Sequence, residues 1–429
     1  MRLPRNARSR IAEVVKDMPI MAGNIFGYVD DQQMKLLSDW LLQINELNDL
    51  LDEGDLTSII VRQCRPYANA APVDFQGTIE QLPGINVDEL VEHIVVFLES
   101  LPRKYFVFFE IPKFQKYGIP EIQLSNQLAI VETTDSFDNR YLRPIEETNN
   151  DAQLLRRYKT YIRIAVEGFG NQSLVSACVA KAIGQLKHFV YLGTAFSVLR
   201  EKGLSDLIAE MYIDQSDVMT RQRVHAVICN ADNPQEESYD LRLPFEVSDQ
   251  LAWMQALETD LNVFGEIGNA TSLLSGRPAV TPEEKVEAIK LNFLSAATLL
   301  NIPSDIEDAK TLKTAIEWLF DSNVDKNNTF SFLQACIGLE ALLGDDKKDR
   351  VTEKLADRYS YLLGQTASDR KKYRDQFLKI YDHRSNIMHG RRAKLKGGDY
   401  KAMSSARTML DQCIRVEIRG LLKSIRQGS

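Results

Sequence analysis

The chain has 429 residues, 44% of them apolar, and 52 basic against 60 acidic side chains leave a net charge of −8. That length exceeds one small core and predicts two or three domains. No run of 18 uncharged apolar residues occurs and Met1-Arg2-Leu3-Pro4-Arg5 lacks the apolar core of a signal peptide, so a cytoplasmic protein without a membrane span is expected.

Residues 1–70 read as mixed, with a helix around Asp31–Leu51 and a short apolar run at Thr57–Val61. Asn86 opens a clearer helix: it can cap, Glu89 sits at the third helical position, and Val87, Leu90, Val91, Ile94, Val95 and Leu98 keep to one face until Leu101-Pro102 ends it. Tyr105–Ile111 and Leu128–Val131 are expected as buried strands, and the polar stretch Asp135–Asp151 as a surface connection. Tyr158, Thr160, Ile162, Ile164 and Val166 alternate with Lys159, Tyr161, Arg163 and Glu167, the pattern of a half-buried strand. Gly168-Phe169-Gly170 separates that strand from a helix of roughly Leu174–Leu199. A glycine pair there could cradle a phosphate, but the third glycine of the dinucleotide fingerprint and a Gly-Lys-Ser/Thr are both missing, so a tight turn is expected. Strands at Val224–Asn230 and Tyr239–Leu243 complete an α/β region over 1–245.

Pro244 marks the expected domain boundary, and 246–429 reads as helical. Thr281-Pro282-Glu283-Glu284 starts a helix that ends near Leu300, another spans Ile306–Phe320, and Ser322–Asn328 is a polar loop. Helices over Thr329–Leu343, Arg350–Leu363 and Asp369–Met388 end at Gly344, Gly364 and Gly390, each placed for a left-handed stop, and a last one covers Tyr400–Ile425. Loops this short make neighbours antiparallel. The fold class is therefore α+β, a mixed N-terminal region followed by an all-α bundle. Residues 341–429 carry 21 basic and 11 acidic side chains, or +10, whereas the rest, with 31 basic and 49 acidic, carries −18; attraction to a polyanion belongs to the C-terminal part.

Candidate chemistry lies in Tyr381-Asp382-His383-Arg384-Ser385-Asn386-Ile387-Met388-His389-Gly390. An imidazole can move a proton at neutral pH and a guanidinium can hold two phosphate oxygens, so Arg384 and His389 together could cut RNA without a metal. The five cysteines, Cys64, Cys178, Cys229, Cys336 and Cys413, are scattered without a Cys-x2-Cys pair, which indicates neither a disulfide framework nor a zinc site; no metal or cofactor is expected. His93, His188 and His225 sit in unrelated segments and read as structural.

The bare Arg-x4-His spacing is unspecific, and its context decides. Phe330-Ser331-Phe332-Leu333-Gln334-Ala335-Cys336-Ile337-Gly338-Leu339-Glu340-Ala341-Leu342-Leu343-Gly344-Asp345 precedes it, then Thr352-Glu353-Lys354-Leu355-Ala356, then Arg370–Ile380. This succession resembles the Apea-like branch of the HEPN superfamily over about residues 310–425. The resemblance implies a helical HEPN bundle and an endoribonuclease of the abortive-infection, antiphage type. It implies a homodimer in which two such helices approach across the two-fold axis. His389 would exchange protons with the RNA 2′-hydroxyl or the leaving 5′-oxygen, and Arg384 would bind the scissile phosphate; both side chains are expected in a polar cleft. Ser385 stands where many HEPN proteins have Asn, Asp or His, and Asn386 could supply that polar group. Glu340, inside an apolar helix, is a candidate partner for Arg384. Arg391, Arg392, Lys394 and Lys396 follow the motif and could neutralise RNA phosphates. The expected partners are an RNA, tRNA among them, and a phage-derived or regulatory trigger acting through residues 1–245, which would restrain the bundle. A catalytically silent HEPN module that binds a nucleotide or a protein is the alternative.

Overall fold

The computed structural model of the chain describes residues 2–21, 24–25, 31–72, 74–111, 121–132, 160–171, 176–195, 199–201, 226–234, 238–241, 243, 247, 251, 254–256, 296, 298–302, 306–344, 351–391, 394–395 and 400–428. The expected segments Asp135–Asp151 and Thr281–Glu284, and His225, lie outside them. Among the described residues no helix is long and apolar enough to cross a membrane.

The first hundred residues gather α1 (Ala7–Lys16), β1 (Pro19–Met21), β2 (Asn24–Ile25), α2 (Asp31–Leu41), α3 (Asn45–Asn48), α4 (Glu53–Asn69), β3 (Gln76–Thr78) and α5 (Val87–Glu99) around one apolar cluster. The single helix expected over Asp31–Leu51 is two. Gln43 and Ile44 donate to the carbonyls of Trp40 and Leu41, three residues back, which tightens the chain out of the α-helix before Asn45 restarts it. The apolar run Thr57–Val61 lies within α4, whose start is closed by a reciprocal capping box between Asp52 and Asp55. In α5 the Asn86 side chain accepts from the Glu89 N–H, and Leu90, Val91, Ile94, Val95 and Leu98 are buried, as their spacing requires.

A six-stranded antiparallel sheet follows, built from β4 (Arg103–Ile111), β5 (Glu121–Gln123), β6 (Leu128–Glu132), β7 (Thr160–Gly168), β9 (Ala226–Asn230) and β10 (Ser238–Leu241) in the spatial order β10-β9-β4-β7-β6-β5. One face, with Tyr105, Val107, Ile162, Ile164 and Ile228, packs on α6 (Ala177–Ala195) through Val179, Ala182, Leu186 and Phe189. The other face buries Phe108, Val131, Tyr161 and Cys229. Tyr161, expected on the outward side of β7, is thus 1% exposed and meets Phe108 edge to face at 6.3 Å. Two covered faces explain why β4 reads as a nearly continuous apolar run.

The glycine turn after β7 serves packing. Gly168 has φ +152°, Phe169 is buried against Phe97 at 5.9 Å, and a Cβ on Gly170 would stand 2.5 Å from the Tyr105 ring. Past it, α6 stops at Ala195 rather than Leu199. Leu199–Glu201 is β8, paired antiparallel with β11 (Met254–Ala256). A strand therefore stands inside the stretch expected to be helical, because pairing to a distant segment overrides a weak local pattern. Val247 and Leu251, beyond Pro244, also enter the sheet's core, together with Phe320.

The C-terminal part is helical, with α7 (Glu307–Val324), α8 (Asn328–Leu343), α9 (Val351–Leu363), α10 (Ala367–Met388) and α11 (Tyr400–Gly428) sharing one core. Of the three glycine stops only Gly390, with φ +67°, is left-handed. Gly344 has φ −67°, and a Cβ there would lie 2.3 Å from the Glu340 carbonyl oxygen; on Gly364 it would lie 2.6 Å from that of Ser360. Those two are needed for close backbone approach, not for a positive φ. The sheet region seats on the bundle through α6: Lys187 pairs with Asp321 at 2.6 Å, His188 with Glu317 at 2.8 Å, and the Tyr191 hydroxyl donates to Asp411 at 2.8 Å.

Candidate functional site

Helix α10 is defined at its start by a capping box, in which the Asp369 N–H donates to Thr366 Oγ1 (3.1 Å) and the Thr366 N–H to Asp369 Oδ2 (3.2 Å). Along it, Tyr373, Phe377 and Tyr381 recur every four residues and so share a face. Tyr359 of α9 packs against the first two rings at 5.8 and 5.4 Å, while Phe377 and Tyr381 stack at 4.4 Å and 15°. This buried column fixes the roll of α10, and three residues beyond Tyr381 it turns Arg384 towards α8.

There the guanidinium meets Glu340. Arg384 Nη2 lies 2.8 Å from each carboxylate oxygen, with the two side chains 26% and 29% exposed. The same guanidinium stands 5.7 Å from the centre of the Tyr381 ring. Arg384 is therefore half-buried on a protein partner rather than standing free in a polar cleft. Its Nε is fully buried with no hydrogen-bond acceptor among the described residues, whereas the buried Tyr381 hydroxyl lies beside the Glu340 carboxylate. Burial first, and then the nearby Glu340 carboxylate, push the Tyr381 phenol far up, so it remains a donor. Cys336, one turn before Glu340, is a buried thiol pushed up by burial and is not a nucleophile.

His389 occupies the end of the helix. Its backbone N–H donates to the Ser385 carbonyl at 3.0 Å, Gly390 turns the chain away, and the residue is exposed. Residues five apart on a helix diverge by about 140°, and the burial agrees: Arg384 faces α8 and His389 faces solvent. On one chain the two side chains therefore leave the helix on different sides. Asn386 Nδ2 donates to Asp382 Oδ2 at 3.2 Å along the helix, and Ser385 is half-buried. Arg391 and Lys394 are exposed, on a segment tied to the start of α8 by the Leu395 N–H donating to Thr329 Oγ1 at 3.0 Å; Arg392 and Lys396 lie outside the described residues. His93 is exposed on α5 and His188 belongs to the seam between α6 and α7, apart from this site.

Among the described residues no group of three or more His, Cys, Asp or Glu side chains is placed to hold a metal ion. The Arg-x4-His spacing assigns no role to Tyr381 and does not include Phe377 or Tyr359. The four-residue recurrence of aromatic residues in α10 was the signal available for the first two. No family model, curated protein or solved structure matches the chain.

Proposed function

We propose that the chain is an endoribonuclease of the HEPN type, acting as a homodimer in which the Arg384 of one subunit and the His389 of the other face the same RNA phosphate. The observation that carries this reading is the placement of Arg384: a guanidinium fixed by Glu340 over a buried aromatic column, at the end of a helix whose exposed tip presents His389 and is followed by exposed Arg391 and Lys394. His389 transfers the proton of the attacking 2′-hydroxyl or of the departing 5′-oxygen, and Arg384 binds the charge that grows on the phosphate. Such a reaction asks for no metal and leaves a cyclic phosphate. DNA, lacking the 2′-hydroxyl, is spared.

The 140° divergence within one chain supports the two-subunit arrangement, because a two-fold axis supplies the second direction of approach. Mixing two inactive variants tests it. If Arg384→Ala and His389→Ala subunits exchange, a site shared between subunits is intact once per heterodimer, and RNA cleavage returns on mixing. Failure of activity to return in mixed dimers, or cleavage by a protein that is monomeric at the assay concentration, contradicts the shared site.

A further inference from the structure

Apolar side chains exposed one by one are ordinary, whereas several at one place mark a surface that binds something. Phe330, Met388 and Tyr400 are 59%, 58% and 57% exposed and belong to three different helices, α8, α10 and α11. The fold carries them to one end of the bundle. Arg384 meets Glu340 late in α8, and the Leu395 N–H reaches back to Thr329 Oγ1 in its first turn at 3.0 Å. Between those two contacts the chain follows α8 towards its start, over about 16 Å of helix, and presents Met388, His389, Arg391 and Lys394 to solvent on the way. Phe330 stands next to Thr329. Tyr400 returns to the same place: its hydroxyl lies close enough to the Arg407 guanidinium to act on its charge, and Arg407 Nη2 donates to Oγ of Ser331, the residue after Phe330, at 2.6 Å.

We propose that Phe330 and Tyr400 are stacking platforms for unpaired nucleic-acid bases, on which a single strand is laid while its backbone runs over Arg391 and Lys394 towards His389. An aromatic ring can meet the face of any base, and basic side chains set among such rings make a track for a single strand. The exposed cations Arg391 and Lys394, in the part of the chain that carries +10, favour a polyanion as the occupant of this surface. Within a duplex the bases are stacked on one another and offer no free face, so the substrate class is RNA with an unpaired segment, a loop or a single-stranded end, at the cut. That the strand is RNA and is cut at His389 rests on the nuclease reading, whereas the stacking itself requires only exposed bases.

Binding to two probes tests the platforms. One is a single-stranded oligodeoxynucleotide of about 12 nucleotides, which the nuclease reading leaves uncut; the other is a strand of the same length built of abasic units, with the same phosphates and no bases. Phe330→Ala and Tyr400→Ala should each weaken binding of the base-bearing strand about tenfold and of the abasic strand less than about twofold. Phe330→Trp, which restores a ring, should bind both strands as the wild type does. A wild type that binds the two strands equally overturns the proposal, and so does an alanine variant that keeps its affinity for the base-bearing strand. A variant that weakens both strands alike, or a tryptophan that restores nothing, also overturns it, since either marks a disturbed fold or a lost phosphate contact. A shift from dimer to monomer in Phe330→Ala with strand binding unchanged overturns it too and assigns the rings to a contact between copies. Cleavage is read separately. A wild type that shows the expected binding pattern but cuts no RNA removes the nuclease reading and leaves the platforms, and a protein that cuts RNA while failing the binding tests does the reverse.

Discussion

At the scale of single residues the two proposed catalytic groups differ in their surroundings, and their variants should differ accordingly. His389 is exposed, so His389→Ala should leave stability within about 0.5 kcal/mol of wild type while removing about 100- to 10,000-fold of the cleavage rate, the usual worth of a general acid or base. Arg384→Ala removes the partner of the half-buried Glu340 and should cost on the order of 1–3 kcal/mol as well as the activity. Thermal unfolding beside RNA cleavage separates the two, and an Arg384→Ala protein as stable as His389→Ala argues that the ion pair does not hold α8 to α10. Much of this site was legible beforehand. The lone glutamate in the apolar run Ala335–Leu343 pointed to a partner, since an acidic group inside an apolar helix needs one. What the spacing could not show was that the pair is half-buried, because that depends on how α8 and α10 roll against each other, and Tyr359 of α9 packs on the column beside it.

At the scale of elements, helix starts were the most legible features, because their signals are local. Asn86 and Glu89 open α5 as their spacing requires. The capping box of α4 has a further consequence, since Asp55 is 1% exposed and accepts from the buried Asn171 at 2.7 Å. Burial pushes its carboxyl up to about 6. A folded value above the unfolded one, about 3.9, means that this group favours folding most below the unfolded value, and the benefit is lost as pH rises through about 6. Between pH 7.5 and pH 5 the wild type should therefore gain about 1 kcal/mol of stability more than Asp55→Asn does. Urea unfolding at the two pH values measures this, and equal gains refute the role given to Asp55. The ends of elements were harder to read. Gly344 and Gly364 stop their helices where the preceding turn's carbonyl crowds them, a contact that has no signature in the sequence. The split of the Asp31–Leu51 helix and the β8–β11 pairing likewise depend on geometry and on partners far along the chain.

At the scale of the molecule, the sequence indicated a sheet region followed by a bundle, and that order stands, with an antiparallel sheet whose strand order no local pattern could disclose. Among the described residues the two parts meet through α6. Lys187 and His188 meet Asp321 and Glu317, all from the acidic portion before residue 341, and Tyr191 reaches Asp411. If the N-terminal part restrains the bundle, this seam is where the restraint is exerted. Lys187→Glu sets like charges against Asp321 and should raise the rate of RNA cleavage; an unchanged rate in a folded variant argues against restraint through α6. Residues 246–429 alone would lack Lys187, His188 and the sheet core around Phe320, so that fragment should melt at a lower temperature than the full chain. The most direct test of the central claim is to incubate the full-length protein with a total tRNA pool in EDTA and map the new ends. The account predicts cuts that leave 2′,3′-cyclic phosphates and disappear in His389→Ala. An intact pool, cuts that require added magnesium, or cuts that persist in His389→Ala would contradict it.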